Sequence, residues 1–428
     1  MRYEKELPVA GEWDVLVCGA GPSGLAAAVS AARSGLKTAV LERYGCVGGC
    51  MTVGNVTTLM GDATPGGIWQ EVMKLVEAPD HGTAIDPEAA KERLLKWLLD
   101  SGAALYPQTP VIDVLKENNA VKGVMAATMR GPAAFLSKCV IDATGDGYAA
   151  AIAGAEVMYG RDEDGLVQPV SLMYHIEGVD PSVSIACRDE EDDTRLPDGT
   201  MYLARCEEAA RNGELPSDVT IVRLYPCITK GEYLVNATQR GKVNTLDTME
   251  LLKAEKELRG QIEQVNNFLK KNIPGFVNIR IRVSGSAIGV RESRRIRGRY
   301  ILQAEDILEG RRFDDAVAHR VNFCIDIHNP TGGGQAEKEG KPFQAQDYDI
   351  PLRCLQPLGV ENLILCGRSI SGSHRAHASY RVMCIAMAIG QAAAMTAKAA
   401  VEKNIKVSEV DAADVQTLLA TAGCRLRD

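Results

Sequence analysis

Imidazole, guanidinium and thiol groups are the side chains through which this 428-residue chain can do chemistry, and a few short segments bring two or more of a kind close together. His374 and His377 stand three residues apart. An imidazole titrates near neutral pH and can take or return a proton during a reaction, although the same pair can equally hydrogen-bond its own backbone. His328 lies in Asp326-Ile327-His328-Asn329-Pro330; Asp326 can orient the ring, and a turn explains the segment as well. Arg291, Arg294, Arg295, Arg297 and Arg299 crowd one stretch. If that stretch is helical, Arg291, Arg294 and Arg295 share a face. Planar guanidinium forks suit carboxylates and phosphates, or they pair with Glu292, Glu305 and Asp306. Arg381 follows the two histidines closely. Cys46 and Cys50 bracket Val47-Gly48-Gly49, a spacing open to redox chemistry or to simple packing.

These groups need elements to hold them, and the clearest lies at the N-terminus. Gly19-Ala20-Gly21-Pro22-Ser23-Gly24 follows an apolar strand over 14–18 and opens a helix over 22–34, for which Gly35 is a natural stop. A second strand over 38–41 ends in Glu42, 18 positions after Gly24. That context turns a glycine-rich segment into a dinucleotide fingerprint. Gly19 permits the tight turn, Gly21 lets backbone approach a pyrophosphate, and Gly24 lets helix and sheet pack closely. The helix N-terminus offers N–H groups to the phosphates, and Glu42 is placed to accept from ribose hydroxyls.

Further along, residues 86–101 read as a helix with Asp86 as N-cap and Pro87 at its first position. Strands follow over 111–115, 121–128 and 139–141, with Asn118-Asn119 as a turn. Beyond about 156 the βαβ rhythm stops. A charged loop covers 188–193, and a charged helical pattern over 247–271 ends before Pro274-Gly275. An exposed loop covers 331–347. A strand over 362–366 then ends in Gly367, and Ser379 precedes a long apolar helix over 380–403. The expected organisation is a cofactor domain in two pieces, 1–155 and 348–428, with a substrate domain inserted over 156–347. No second glycine fingerprint follows a strand, so a dedicated nicotinamide-nucleotide domain is not expected.

Composition sets the outer limits. At 46% hydrophobic residues the chain can bury a large core, and a net charge of −8 argues against a general nucleic-acid binder. There is no signal-peptide pattern and no run of 18 apolar residues, so a cytoplasmic protein without membrane insertion is expected. The twelve cysteines are scattered and form no CxxC pair, so no metal site is expected.

Three further segments carry a resemblance: Glu42-Arg43-Tyr44-Gly45-Cys46-Val47-Gly48-Gly49, Val140-Ile141-Asp142-Ala143-Thr144-Gly145-Asp146-Gly147, and Leu363-Ile364-Leu365-Cys366-Gly367-Arg368. Together with the stretches 289–308, 326–330 and 350–383, they resemble the FAD-dependent oxidoreductases built on a glutathione-reductase-type FAD domain. The likeness covers nearly the whole chain. It implies an α/β fold, a Rossmann-like FAD-binding domain with an inserted α+β substrate domain. It implies FAD as cofactor, with Gly19, Gly21, Pro22, Ser23, Gly24, Glu42, Arg43, Gly48, Gly49, Val111, Thr144, Gly145, Asp146, Gly367, Arg368 and Val382 around it. It also implies that the 371–381 loop borders the flavin and that the last long helix aims its N-terminus at the pyrimidine edge.

His374, His377, His328, Arg291 and Arg381 then become the candidates for catalysis. The activity implied is that of an FAD-dependent dehydrogenase or reductase exchanging hydride with a small polar, possibly anionic, molecule, in concert with an unidentified electron acceptor or donor. A homo-oligomer is compatible with the sequence. The alternatives are a thiol–disulfide oxidoreductase using Cys46/Cys50 and a flavin-dependent RNA-modifying protein. Disulfide reductases carry both cysteines after the two glycines, with four residues between, whereas here one precedes and one follows, with three residues between. His81, His175 and His319 stand in contexts with no cofactor signal.

Overall fold

The computed structural model describes residues 6–182, 185–189, 192–334 and 345–426. Most of the loop expected over 331–347, and two residues of the charged loop over 188–193, fall outside that set. The larger sheet has seven strands. Ala104–Tyr106, Thr38–Leu41, Val9–Cys18 and Gly131–Asp142 lie side by side and parallel, and Leu363–Leu365 runs parallel to the last residues of Gly131–Asp142. Their buried segments are short apolar runs, as strands covered by helices on both faces require.

Register brings Cys18, Leu41, Asp142 and Leu365 to one row at the C-terminal edge. Ala120–Thr128 and Val111–Glu117 continue the sheet as an antiparallel meander on the first half of Gly131–Asp142. That first half carries Gly131 and Pro132, which hid it in the sequence, where only 139–141 reads as strand.

Helix Pro22–Arg33 lies against the sheet, with Pro22 at its first position. Gly35 at φ +93° allows the chain to turn out of it. Helix Pro87–Asp100 is capped as expected, the Asp86 carboxylate accepting from the amides of Glu88 and Ala89. The long apolar helix is divided. His374–Tyr380 is a helix of its own with Ser373 as N-cap, and a second helix, Met383–Lys403, begins after Val382. The expected loop over 371–381 is therefore largely helical, and the expected helix over 380–403 starts three residues late. Ser373 supplies a side-chain cap that restarts the chain before Ser379 can act as one. By length and composition Met383–Lys403 could cross a membrane, but 89% of its apolar window is buried inside the protein. Gly390 explains part of that packing: a Cβ there would stand 2.1 Å from the Ser23 carbonyl oxygen, so the helix meets Pro22–Arg33 at the fingerprint itself.

A second hydrophobic core is built from residues between Val170 and Ile279. Its four antiparallel strands run in the order Arg280–Ser284, Tyr174–Glu177, Tyr233–Asn236, Arg223–Pro226. The charged helix Thr248–Asn272, capped by Asp247, packs Leu258, Ile262, Val265 and Leu269 into this core. From Ile296 onward the apolar residues belong to the first core again, so the stretch expected as an insertion holds chain from both. The arginine-rich stretch is not helical. Arg294–Ile296 is a short strand paired with Val157–Tyr159, which puts Arg294 and Arg295 on opposite faces. The shared arginine face does not form.

Candidate functional site

The C-terminal edge of the parallel sheet is where such folds hold ligands, and the fingerprint lies on it. Gly19 has φ +106°, and a Cβ there would stand 2.5 Å from the Ala143 carbonyl oxygen. At Gly24 a Cβ would stand 2.0 Å from the Gly19 carbonyl oxygen. Gly21 is different: its backbone is extended, and a Cβ would meet no protein atom within 4 Å. The space is open just where the first-turn amides of Ser23 and Gly24, which have no partner within the helix, point outward. Gly48 and Gly49 both have positive φ, and Gly49 closes on Gly21 so tightly that a Cβ would be 2.8 Å from the Gly21 Cα. This is a cradle of backbone donors that a pyrophosphate fits.

The neighbouring turns are held by buried carboxylates. Glu42 accepts from the amides of Ala20 (2.6 Å) and Tyr44 (2.8 Å). Burial raises its pKa, and those amides oppose the rise. Two of its acceptor positions are thus used by the protein, and the rest are left for a ribose. Arg43 lies over the Tyr44 ring and 3.9 Å from Asp146. Asp142, which sequence reading passed over, organises the Ala143–Gly147 turn. It accepts from the amide and hydroxyl of Thr144 and from the amide of Ala150. Its signal was available: an acidic residue at the end of an apolar strand.

Arg368 donates to the Gly145 carbonyl at 2.5 Å and pairs with Asp146. Gly367, at φ +69°, lies against Ser23. Val111 opens its strand opposite Ala126, beside the Thr109 amide that bonds the Glu42 carbonyl. Val382 is the residue that precedes helix Met383–Lys403, and the Cys384 amide bonds the Met60 carbonyl. Of the sixteen residues expected around the cofactor, those of the glycine loop and those that follow Leu41, Asp142 and Leu365 stand at that edge, while Val111 opens a meander strand and Val382 precedes a helix.

The catalytic candidates gather across from that edge. Arg381 donates to the carboxylate (2.9 Å) and carbonyl (3.0 Å) of Asp326, and Asp326 faces His328 Nε2 at 3.5 Å. Arg291 donates to the Pro169 carbonyl and lies within electrostatic reach of Arg381, Asp326, Arg223 and Tyr225. Burial and then Arg381 pull the Arg291 guanidinium down to about 9, so it still carries its charge at neutral pH. Burial pushes Asp326 up, but His328, Arg381 and Arg291 outweigh it and hold the carboxyl well below its ordinary value. Burial and Arg291 push His328 down to about 4, against the pull of Asp326, so its ring is neutral.

Tyr225 packs with Val56 and Met60, which places this cationic cluster at the seam between the smaller sheet and the start of Met383–Lys403. Arg381 Nε and His328 Nδ1 are buried there without a protein partner among the described residues.

His374 and His377 occupy one short helix but different surroundings. His374 Nδ1 is 2.9 Å from a carboxylate oxygen of Glu292, a residue with no exposed surface. Arg295 pairs with that same oxygen. His377 is 1% exposed and packs edge-on to Tyr380. Burial, then Arg295 and Arg381, holds its pKa well below the ordinary value. The other arginines of the stretch are tied locally: Arg294 to the Asp146 carbonyl, Arg297 to Glu156, Arg299 to the Ser408 carbonyl.

Cys46 and Cys50 are both free thiols. His175, unmarked in the sequence, bonds Thr57 through Nε2 (2.8 Å) and faces Cys227 Sγ through Nδ1 (3.4 Å). With Glu232 these make a group of metal-ligand types, but Arg282 already lies between Glu232 and Asp86 and supplies the positive charge there.

The profile of the family described as FAD dependent oxidoreductase matches residues 14–419. The chain belongs to that family. Its cofactor is FAD, and the cradle at Gly21 fits it. Over 145 residues the chain is 32% identical to a thiamine thiazole synthase of Metallosphaera sedula, and over 147 residues 33% identical to one of Saccharolobus solfataricus. Each match covers 31% of this chain and 54% or 55% of the relative, so this FAD-dependent oxidoreductase spans about half the length of the curated relatives it matches. A geranylgeranyl bacteriochlorophyll reductase-like protein of Thermoplasma acidophilum superposes with a TM-score of 0.50 at 15% identity, covering 96% of this chain and 83% of that one. The likeness confirms the fold. The THI4 protein of Thermovibrio ammonificans superposes on 36% of this chain and 67% of its own, at 24% identity and a TM-score of 0.29.

Proposed function

We propose that this FAD-dependent oxidoreductase is a dehydrogenase or reductase of a small carboxylate-bearing molecule, held at the seam between the two cores. The observation that carries this reading is the Arg291–Arg381–Asp326–His328 cluster, with two buried ring or guanidinium nitrogens lacking a protein partner among the described residues. Two guanidinium groups, Arg291 and Arg381, act on the single carboxylate of Asp326, and a second carboxylate, brought by the substrate, would balance them. Burying the Arg381 Nε–H donor and the His328 Nδ1 acceptor without partners costs free energy that a bound ligand recovers, a carboxylate at the guanidinium and a hydroxyl or amine at the ring.

When bound, FAD supplies a hydride acceptor and donor at its N5. The protein residues do the rest. The arginines bind and orient the substrate carboxylate, so that the reacting carbon is presented in one pose. His374 holds or releases the proton that accompanies hydride movement, its ring braced by Glu292. His377 and His328, neutral and buried, keep water away from the reacting carbon and add no charge beside it. A small-molecule partner, a separate electron acceptor and a cytoplasmic location complete the reading.

Anaerobic mixing of the holoprotein with a panel of 2-hydroxy, 2-amino and α,β-unsaturated carboxylates, following flavin bleaching or reoxidation, tests it. Turnover with a carboxylate and none with its methyl ester is the expected result. Equal turnover of acid and ester would reject the cationic pocket as the substrate site.

A further inference from the structure

Glu292 has no exposed surface, and its two oxygens have separate tasks. One receives the Arg295 guanidinium and faces His374 Nδ1 at 2.9 Å. The other accepts the Gln168 amide at 3.0 Å. Arg295 is itself fixed in two more places, donating to the Gly372 carbonyl (2.9 Å) and the Gly160 carbonyl (2.8 Å). Gly372 immediately precedes Ser373, the cap of the His374 helix. The guanidinium therefore ties the carboxylate to the backbone that carries the histidine. On the far side, the Gln168 side-chain oxygen accepts the His328 amide at 3.3 Å, so the same network reaches the Asp326–Arg381 pair.

We propose that Glu292 is a positioning residue for His374: it holds the ring in the tautomer protonated at Nδ1 and leaves Nε2 as the atom that takes the substrate proton. The physical basis is simple. A carboxylate beside a permanently charged guanidinium accepts hydrogen bonds and does not donate them, so the ring nitrogen facing it carries the hydrogen. The partner of one ring nitrogen sets the chemistry of the other. A merely structural Arg295–Glu292 pair would need no imidazole on the shared oxygen. The groups around the His374 ring are Glu292, Arg295, Asp164 and His377. Of these, Glu292 is the carboxylate in hydrogen-bond contact with Nδ1.

The inference rests on His374 being the acid–base group, and its test does not depend on turnover. Holoprotein labelled with nitrogen-15 in its six histidines is examined by long-range proton–nitrogen NMR, with His374→Gln identifying the His374 ring. A ring protonated at Nδ1 is expected in the wild type. Glu292→Met, which keeps the length and removes the acceptor, is expected to shift the proton wholly or partly to Nε2 while FAD stays bound. A wild-type ring protonated at Nε2 would overturn the proposal, and so would an unchanged tautomer in Glu292→Met. If that variant does not retain FAD, the wild-type spectrum decides alone. A failed tautomer test beside a His374→Ala variant that is still slow rejects Glu292 and keeps the acid–base role. A confirmed tautomer with normal turnover in His374→Ala rejects the acid–base role instead.

Discussion

The cofactor edge and the catalytic seam are built on opposite principles. At the edge, Gly19 to Gly24 and Glu42 to Gly49 act almost entirely through backbone, over short sequence distances, within one core. At the seam, Gln168, Glu292, Asp326, His374 and Arg381 act through side chains and lie up to 213 residues apart, from Gln168 to Arg381 (381 − 168). A backbone site tolerates few side chains but can be recognised from composition. A side-chain site is legible only when distant segments are brought together. The difference teaches where each kind of damage will show: edge substitutions should remove FAD, and seam substitutions should slow an enzyme that still holds it.

The sharpest test of the contrast lies inside the edge. Gly24→Val forces a side chain into the Gly19 carbonyl and should cost both FAD and the native fold, seen as loss of the cooperative thermal transition. Gly21→Val places its side chain in open space. It should stay folded by circular dichroism yet purify colourless, because the cavity it fills is the one the pyrophosphate needs. Yellow Gly21→Val protein would break the assignment of that space.

At the seam, His374→Ala should lower flavin reduction by the true substrate about 10²–10⁴-fold, the range for a lost acid–base group, with FAD retained. Wild-type bleaching rates would move the role to another residue. Arg291→Ala should act on binding. A charged hydrogen bond of about 1.5–3 kcal/mol corresponds to a rise in KM of about 10–100-fold with kcat less affected, read from steady-state kinetics on the acid.

Acid sensitivity should also come from the side-chain half. His175 and His328 are each pushed to about 4 from an ordinary 6.5, mainly by burial. The folded protein keeps them neutral while the unfolded chain takes up protons below 6.5. Their contribution is therefore full above about pH 6.5 and is lost as pH falls toward 4, by roughly 3 kcal/mol each at most. His175→Gln should flatten the fall in melting temperature between pH 6.5 and 4.5; an unchanged slope would show that His175 is not a source of it. The smallest effect is expected where the edge meets solvent. Replacing Cys46 and Cys50 together with serine should leave flavin reduction largely intact. A thousandfold loss with FAD bound would promote the thiol–disulfide alternative.

Much of the edge was legible because its determinants are local. Pro22, Gly35 and Asp86 each mark a helix end by their own chemistry, and the structure uses all three as the sequence suggests. The misreadings arose where two signals competed. Ser373 and Ser379 both qualify as caps, and the chain uses the first. The arginine-rich stretch has helical spacing, but pairing with Val157–Tyr159 makes part of it a strand. Local spacing cannot register a partner 135 residues away, as Tyr159 is from Arg294 (294 − 159).

From the sequence by itself came the glycine fingerprint, the FAD cofactor and the parallel sheet beneath it, since glycine conformation, strand burial and helix capping are properties of neighbouring residues. Tertiary structure alone decided that Glu292 is shared by Arg295 and His374, that Asp326 joins Arg381 to His328, and that His377 is buried within electrostatic reach of both groups. A charged side chain carries no mark of its partner in the sequence. Which charges meet is settled only when two cores close on one another and each buried charge must find its opposite.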